Sequence, residues 1–134
     1  MADTVTSQTI QDGGKTAVLK FTNESDGSGE SSVKKVDVSE LAADSAGNAC
    51  TSVSIARIYW ACRGMGVDIE FDASTNVLAI PLPADSTGDE YYDLFGSIPN
   101  NAGSGVTGDI DFTTVGASSG DAYSIILVLH KNYS

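Results

Sequence analysis

Asp109 and Asp111 stand two positions apart in the stretch TGDIDFTT. On a strand that spacing sets both carboxylates on one face, about 6.5–7 Å apart. Such a separation lies near the low end of the range in which an inverting glycosidase holds its acid and base. Two oxygens so placed could also ligate a divalent cation. Ile110 and Phe112 take the alternate positions, as any half-exposed strand requires, and a chain with 18 acidic residues produces such pairs by chance. The expected arrangement is therefore a strand with Ile110 and Phe112 inward and both aspartates toward water or a neighbouring subunit.

The remaining chemistry-bearing residues are thinner still. Asp26-Gly27-Ser28-Gly29-Glu30 has the look of a calcium loop but lacks the other acidic positions and the closing Glu such a loop needs. It reads as a flexible acidic turn. Asp85, Asp89, Glu90 and Asp93 cluster beside Tyr91, Tyr92 and Phe95, a set that could bind a partner or glycan but reads better as packed aromatics with wet acids. Nucleophilic catalysis needs a base positioned on a Ser or Cys, and the single histidine, His130, lies near the end of the chain between Leu129 and Lys131. Two cysteines and one histidine cannot complete a four-ligand zinc site without carboxylates. No GxGxxG, P-loop or HExxH occurs. The sequence assigns no catalytic residue, and neither a metal nor a cofactor is expected.

The elements that carry these residues show a period of two. Val67, Ile69 and Phe71 alternate with Asp68, Glu70 and Asp72, and Ala17, Leu19 and Phe21 alternate with Val18, Lys20 and Thr22. Val53 and Ile55 begin a further strand whose phase shifts near Arg57, where Ile58, Trp60 and Cys62 take over the apolar side, as a bulge would cause. Arg63-Gly64-Met65-Gly66 reads as a tight turn joining 53–62 to 67–72 in a hairpin. The final strand differs, since Tyr123, Ile125, Leu127 and Leu129 on one face are backed by Ser124, Ile126, Val128 and His130 on the other. Two largely apolar faces predict a central strand covered on both sides, the second cover being loops or another protomer. TGDIDFTT and GDAYSIILVLHK read as two strands joined by a Gly/Ser turn.

Fourteen glycines against three prolines fit many short strands, and no window shows a helical stripe beyond one turn near Ser39–Ala43. The expected fold is all-β, one antiparallel β-sandwich (jelly-roll or Ig-like) of roughly eight or nine short strands over residues 1–134. Residues 1–12 are polar, with Val5 and Ile10 as the large apolar side chains beyond Met1, and are read as a possible extended N-terminal arm.

Charge narrows the function classes. Seven Lys+Arg against 18 Asp+Glu give a net −11, and no basic stripe is present. A phosphate backbone repels such a surface, so nucleic-acid binding is not expected. No stretch nears the roughly 20 apolar residues that span a bilayer, and the N-terminal segment lacks the basic and apolar parts of a signal peptide. Synthesis in a cytoplasm is the expectation. Cys50 and Cys62 would lie roughly 40 Å apart on one strand, too far for a disulfide, and are expected as buried thiols.

The segments DGSGE, KVDVSEL, VSIARIYW, VDIEFDAS, IPNNAGSGVTGDIDFTT and GDAYSIILVLHK, taken in order, resemble small virion structural proteins of tailed bacteriophages, in particular the capsid decoration (cement) proteins that coat the head. The resemblance spans most of the chain and brings no catalytic motif. It implies a partner in the major capsid protein, self-association as a homo-oligomer, commonly a trimer, and a place on the outer capsid surface. Tyr59, Trp60 and Phe95 would serve as anchors, Ile126 and Val128 as the apolar strand face, and Tyr91 and Tyr92 as aromatic contacts, with Val5 and Ile10 on the arm. A virion-displayed carbohydrate-binding module using Trp60 and the Tyr91–Tyr92 pair is the rival, and a neck or tail structural protein is another.

Overall fold

The computed structural model describes residues 3–91 and 97–133, with the backbone alone at Tyr91. Nine strands follow in chain order: β1 (Thr4–Asp12), β2 (Thr16–Asp26), β3 (Val33–Val36), β4 (Cys50–Arg63), β5 (Gly66–Phe71), β6 (Val77–Leu82), β7 (Thr87–Tyr91), β8 (Ile110–Val115) and β9 (Ser119–Tyr133). One 3-10 turn over Val38–Glu40 is capped by the Asp37 side chain. The strands form two antiparallel sheets, a five-stranded one in the order β1-β2-β9-β4-β7 and a four-stranded one in the order β3-β8-β5-β6. The expected β-sandwich is the fold observed. No helix among the described residues is long and apolar enough to cross a membrane.

Alternation decides which side chains enter the core. Leu19 and Phe21 of β2, Ile55 and Ile58 of β4 and Ile125, Leu127 and Leu129 of β9 meet Val67, Ile69 and Phe71 of β5 and Ile110 and Phe112 of β8 between the sheets. Phe112 is the aromatic hinge of this layer, edge-on to Phe21 at 5.4 Å and to Tyr123 at 5.8 Å between ring centroids. The phase shift near Arg57 is a bulge, since the β4–β9 register slips between Ile55 and Arg57, with Ala56, the residue between them, wholly buried. β9 is the middle strand of its sheet, as its two apolar faces require. Cys50 and Cys62 are buried free thiols at opposite ends of β4, and burial pushes both upward in pKa.

Three expectations are corrected. Residues 53–62 and 67–72 do not form a hairpin: β4 belongs to the five-stranded sheet and β5 to the four-stranded one, so Gly64 and Met65 carry the chain across the sandwich. Met65 is wholly buried there, and Gly64 holds φ +80° where a Cβ would collide with the Asp121 carboxylate. β8 and β9 likewise lie in different sheets, so TGDIDFTT and GDAYSIILVLHK are joined by an arch between layers. The third concerns the arm. Residues 4–12 are the edge strand β1, paired with β2 from Thr4↔Glu24 to Asp12↔Ala17.

Candidate functional site

The two outward faces of the sandwich are built from the same strand chemistry but end up unlike. Cross-strand partners share a face, so register gives the rows on the outside of the five-stranded sheet. Gln8, Lys20, Ile126, Tyr59 and Asp89 form one row across all five strands. Val18, Val128 and Arg57 form the next, ending on the Tyr91 backbone. Thr6, Thr22, Ser124, Ala61 and Thr87 form the row on the other side. The centre of this face is therefore Val18, Ile126, Val128 and Tyr59, each half-buried among the described residues.

Its charges are few and mostly positive. Arg57 grips Asp89 through two parallel hydrogen bonds of 3.0 and 2.8 Å and lies 4.7 Å above the Tyr59 ring. That pairing holds the Asp89 carboxyl below the usual range. Lys20 stands beside Ile126, and Arg63 shares a row with Ala122 and Glu24. On a chain of net −11, a near-neutral face with Lys20, Arg57 and Arg63 is set apart from the rest of the surface. A shallow depression of about 450 Å³ runs between Tyr59, Ala61, Thr87, Asp89, Ser124 and Ile126, with the partly buried Trp60 and Gly88 at its margin.

Of the predicted contact residues, Tyr59, Ile126 and Val128 are brought together on this face. Trp60 is not. It points to the core side, its ring pressed against Gly88 and its Nε1 donating to Ser86 Oγ at 3.0 Å. Val5 and Ile10 sit apart on β1, both about half exposed. Tyr92, Asp93, Phe95 and the Tyr91 side chain lie outside the described residues.

The outer face of the four-stranded sheet carries the acid pair, and the solvent-face expectation fails there. Asp109 and Asp111 are both buried, 4% and 3% exposed. Asp109 accepts from the Val38 backbone N–H at 2.9 Å and meets Lys34 Nζ at 2.9 Å. Asp111 accepts from Asn76 Nδ2 at 3.0 Å, and its other oxygen has no hydrogen-bond donor. Burial, followed by the neighbouring Asp72, raises Asp111 to a pKa of about 6. Asp72 in turn accepts from Thr107 Oγ1 at 2.7 Å, and its backbone exchanges bonds with Asp109 and Thr107. Just before Asp109, Gly108 lets the 98–108 loop lie on β4: at φ +89° its Cβ would sit 2.0 Å from the Thr51 carbonyl. The aspartates tie that loop and the 3-10 turn to β8. Among the described residues no group of acids, cysteines and histidine is arranged to hold a metal ion.

Two buried ion pairs escaped the sequence reading. Glu30, read as part of a wet turn, is 6% exposed; it meets Lys35 at 2.5 Å and accepts from the Tyr123 hydroxyl at 2.6 Å. That contact and burial raise the Tyr123 pKa. Lys131 pairs with Asp12 and donates to the Gly13 and Ala42 carbonyls. Its position was readable, since it continues the inward phase of Tyr123 to Leu129; nothing in the sequence flagged Glu30. His130 lines an open depression of about 650 Å³ with Asp44 and Ser45. Asp44 gives its carboxylate to the Ala46 and Asn48 amides and to Asn48 Nδ2, which hold its pKa low and close the 44–48 turn. It is thereby committed to the turn.

No known family model and no curated protein matches the chain.

Proposed function

We propose that the chain is a structural protein of a bacteriophage virion, a capsid decoration protein that seats the outer face of its five-stranded sheet on the major capsid protein and braces neighbouring subunits. The observation that carries this reading is the face itself. Val18, Ile126, Val128 and Tyr59 sit at its centre, half-buried among the described residues, inside a margin of Lys20, Arg57 and Arg63. An apolar centre with a polar, charged rim is how contact surfaces between proteins are organised. The remaining surface, rich in Asp and Glu, would face solvent and keep decorated heads apart. The resemblance to decoration proteins supports the same assignment, and the buried aspartates, Asp109 on Lys34 and the Val38 amide and Asp111 on Asn76, tie the opposite sheet together.

Binding of the purified chain to phage heads stripped of it tests the proposal. Wild-type chain should saturate the heads and raise their resistance to heat. Ile126→Glu, a change on a half-buried outward position, should fold normally and fail to bind. Undiminished binding by Ile126→Glu and Tyr59→Glu would contradict the reading.

A further inference from the structure

The 99–107 loop hangs between two fixed ends. Ile98 exchanges backbone hydrogen bonds with Ile55 of β4 at 2.9 and 2.8 Å, and Gly108 lies against Thr51. Between those anchors the loop is tied to the turn that follows β5. Thr107 gives its amide to the Asp72 carbonyl at 3.2 Å and its Oγ1 to the Asp72 carboxylate at 2.7 Å. The Ser74 amide donates to the Ser104 carbonyl at 3.1 Å, and a Cβ on Gly105 would sit 2.1 Å from Ser74 Oγ. Inside the loop Asn100 Nδ2 is buried without an acceptor among the described residues. Opening the loop would hydrate that donor, which lowers the cost of opening. Residues 99 to 107 contain no titratable side chain, so any response of the loop to pH must come through what it is tied to.

Asp72 is also the neighbour of Asp111, and the two carboxyl groups stand within hydrogen-bonding reach. Asp111 is 3% exposed, accepts from Asn76 Nδ2 through one oxygen and has no donor on the other among the described residues. A carboxylate can only accept, so two ionised aspartates leave that oxygen stranded. One proton held between them satisfies it, and like charges so close favour such sharing. The other charges facing Asp111 do not meet the need. Its cross-strand partners are Lys34 on β3 and Glu70 on β5. Lys34 turns its ammonium to Asp109 at 2.9 Å, with Asp37 also drawing on it. Glu70 accepts from Thr113 Oγ1 at 2.9 Å and adds only negative charge.

We propose that a proton shared between Asp72 and Asp111 latches the 99–107 loop, holding it closed in acid and loosening it as the proton leaves. While the proton is shared, Asp72 is held in place against both Asp111 and Thr107. Once it is lost, two carboxylates face each other, Asp72 is pushed toward solvent, and its bonds to Thr107 weaken. The raised pKa of Asp111, about 6, puts the change close to neutrality. Because the closed form favours the proton, closure is complete below about pH 4 and is lost as pH rises through 6. This goes beyond the capsid reading and stands without it, since the latch lies wholly within one chain.

Hydrogen exchange at the amides of Asp72, Ser74 and Thr107, corrected for the intrinsic pH dependence of exchange, tests the latch. Their protection should fall about tenfold between pH 5 and pH 7.5. At both pH values they should exchange faster than the amides of Leu19 and Leu127, as a local opening requires. Asp111→Asn and Asp72→Asn each put an amide donor between the two side chains. Both variants should keep the loop closed at pH 7.5 and abolish the fall. Equal protection at the two pH values, a fall that persists in either variant, or loop and core amides that exchange together would overturn the proposal. So would calcium ions restoring protection to the wild-type chain at pH 7.5, since the pair would then be a cation site.

Discussion

The outer faces of the two sheets answer the same problem in opposite ways. The four-stranded sheet turns polar groups outward and then consumes them: Asp109 on Lys34 and Val38, Asp111 on Asn76 and Asp72, Asp72 on Thr107. The five-stranded sheet turns Val18, Ile126, Val128 and Tyr59 outward and leaves them half-buried among the described residues. What this teaches is where to look for contact. Carboxylates suggest chemistry on paper, yet here they are structural ties, and the quieter aliphatic face is the one left open. A polar group desolvated by a loop must find partners within the fold, whereas an aliphatic face can wait for one outside it.

Several substitutions would sharpen or break that contrast. The largest effect is expected between the sheets. Glu30→Ala strands Lys35 and the Tyr123 hydroxyl in the interior, and breaking a buried pair on one side costs about 3–5 kcal/mol. Chemical denaturation measures it, and a loss below about 1 kcal/mol would mean that the pair is open to water.

Next comes Asp111, whose raised pKa gives a signed prediction. Its folded pKa of about 6 lies above the ordinary aspartate value of 3.8, so folding favours the protonated form. The stability it lends is full below about pH 4 and is lost as pH rises through 6. Asp111→Asn should therefore stabilise the protein at pH 7.5 by on the order of 1–3 kcal/mol and flatten the pH dependence between 4 and 6. Thermal melts across that range decide it, and a variant less stable than wild type at pH 7.5 would break the account of this face. Asp37, Asp44 and Asp89 pull the other way, their lowered pKa values giving stability present above about pH 4 and lost below it.

The smallest effect belongs to the open face. Arg57→Ala removes an exposed pair with Asp89 and should change stability by less than about 1 kcal/mol. Its consequence should appear in binding alone. If it destabilised the fold as much as Glu30→Ala, the two faces would not differ in the way described.

The sequence showed much of this and concealed the rest for physical reasons. Period-two alternation found the inward residues of β2, β5 and β9, and the phase shift at Arg57 found the bulge, because both are local. Sheet membership was not local. Gly64, Gly116 and Gly120 adopt positive φ in arches that cross between sheets, and the same residues would serve a hairpin equally well. Asp109 and Asp111 are held by Asn76, Lys34 and Val38, partners that lie 35 or more residues away in sequence. On the open face, Ile126 and Val128 were legible from the doubly apolar strand, while Lys20 and Val18 joined them only through the β2–β9 register.

The central claim is that the five-stranded sheet is the contact face, and electron cryo-microscopy of decorated heads tests it most directly. The account predicts density for this chain on the outer shell with Tyr59, Ile126 and Val128 turned toward the capsid subunits and Asp68 and Glu70 toward solvent. Density with the four-stranded sheet against the shell, or heads that carry no such density, would contradict it.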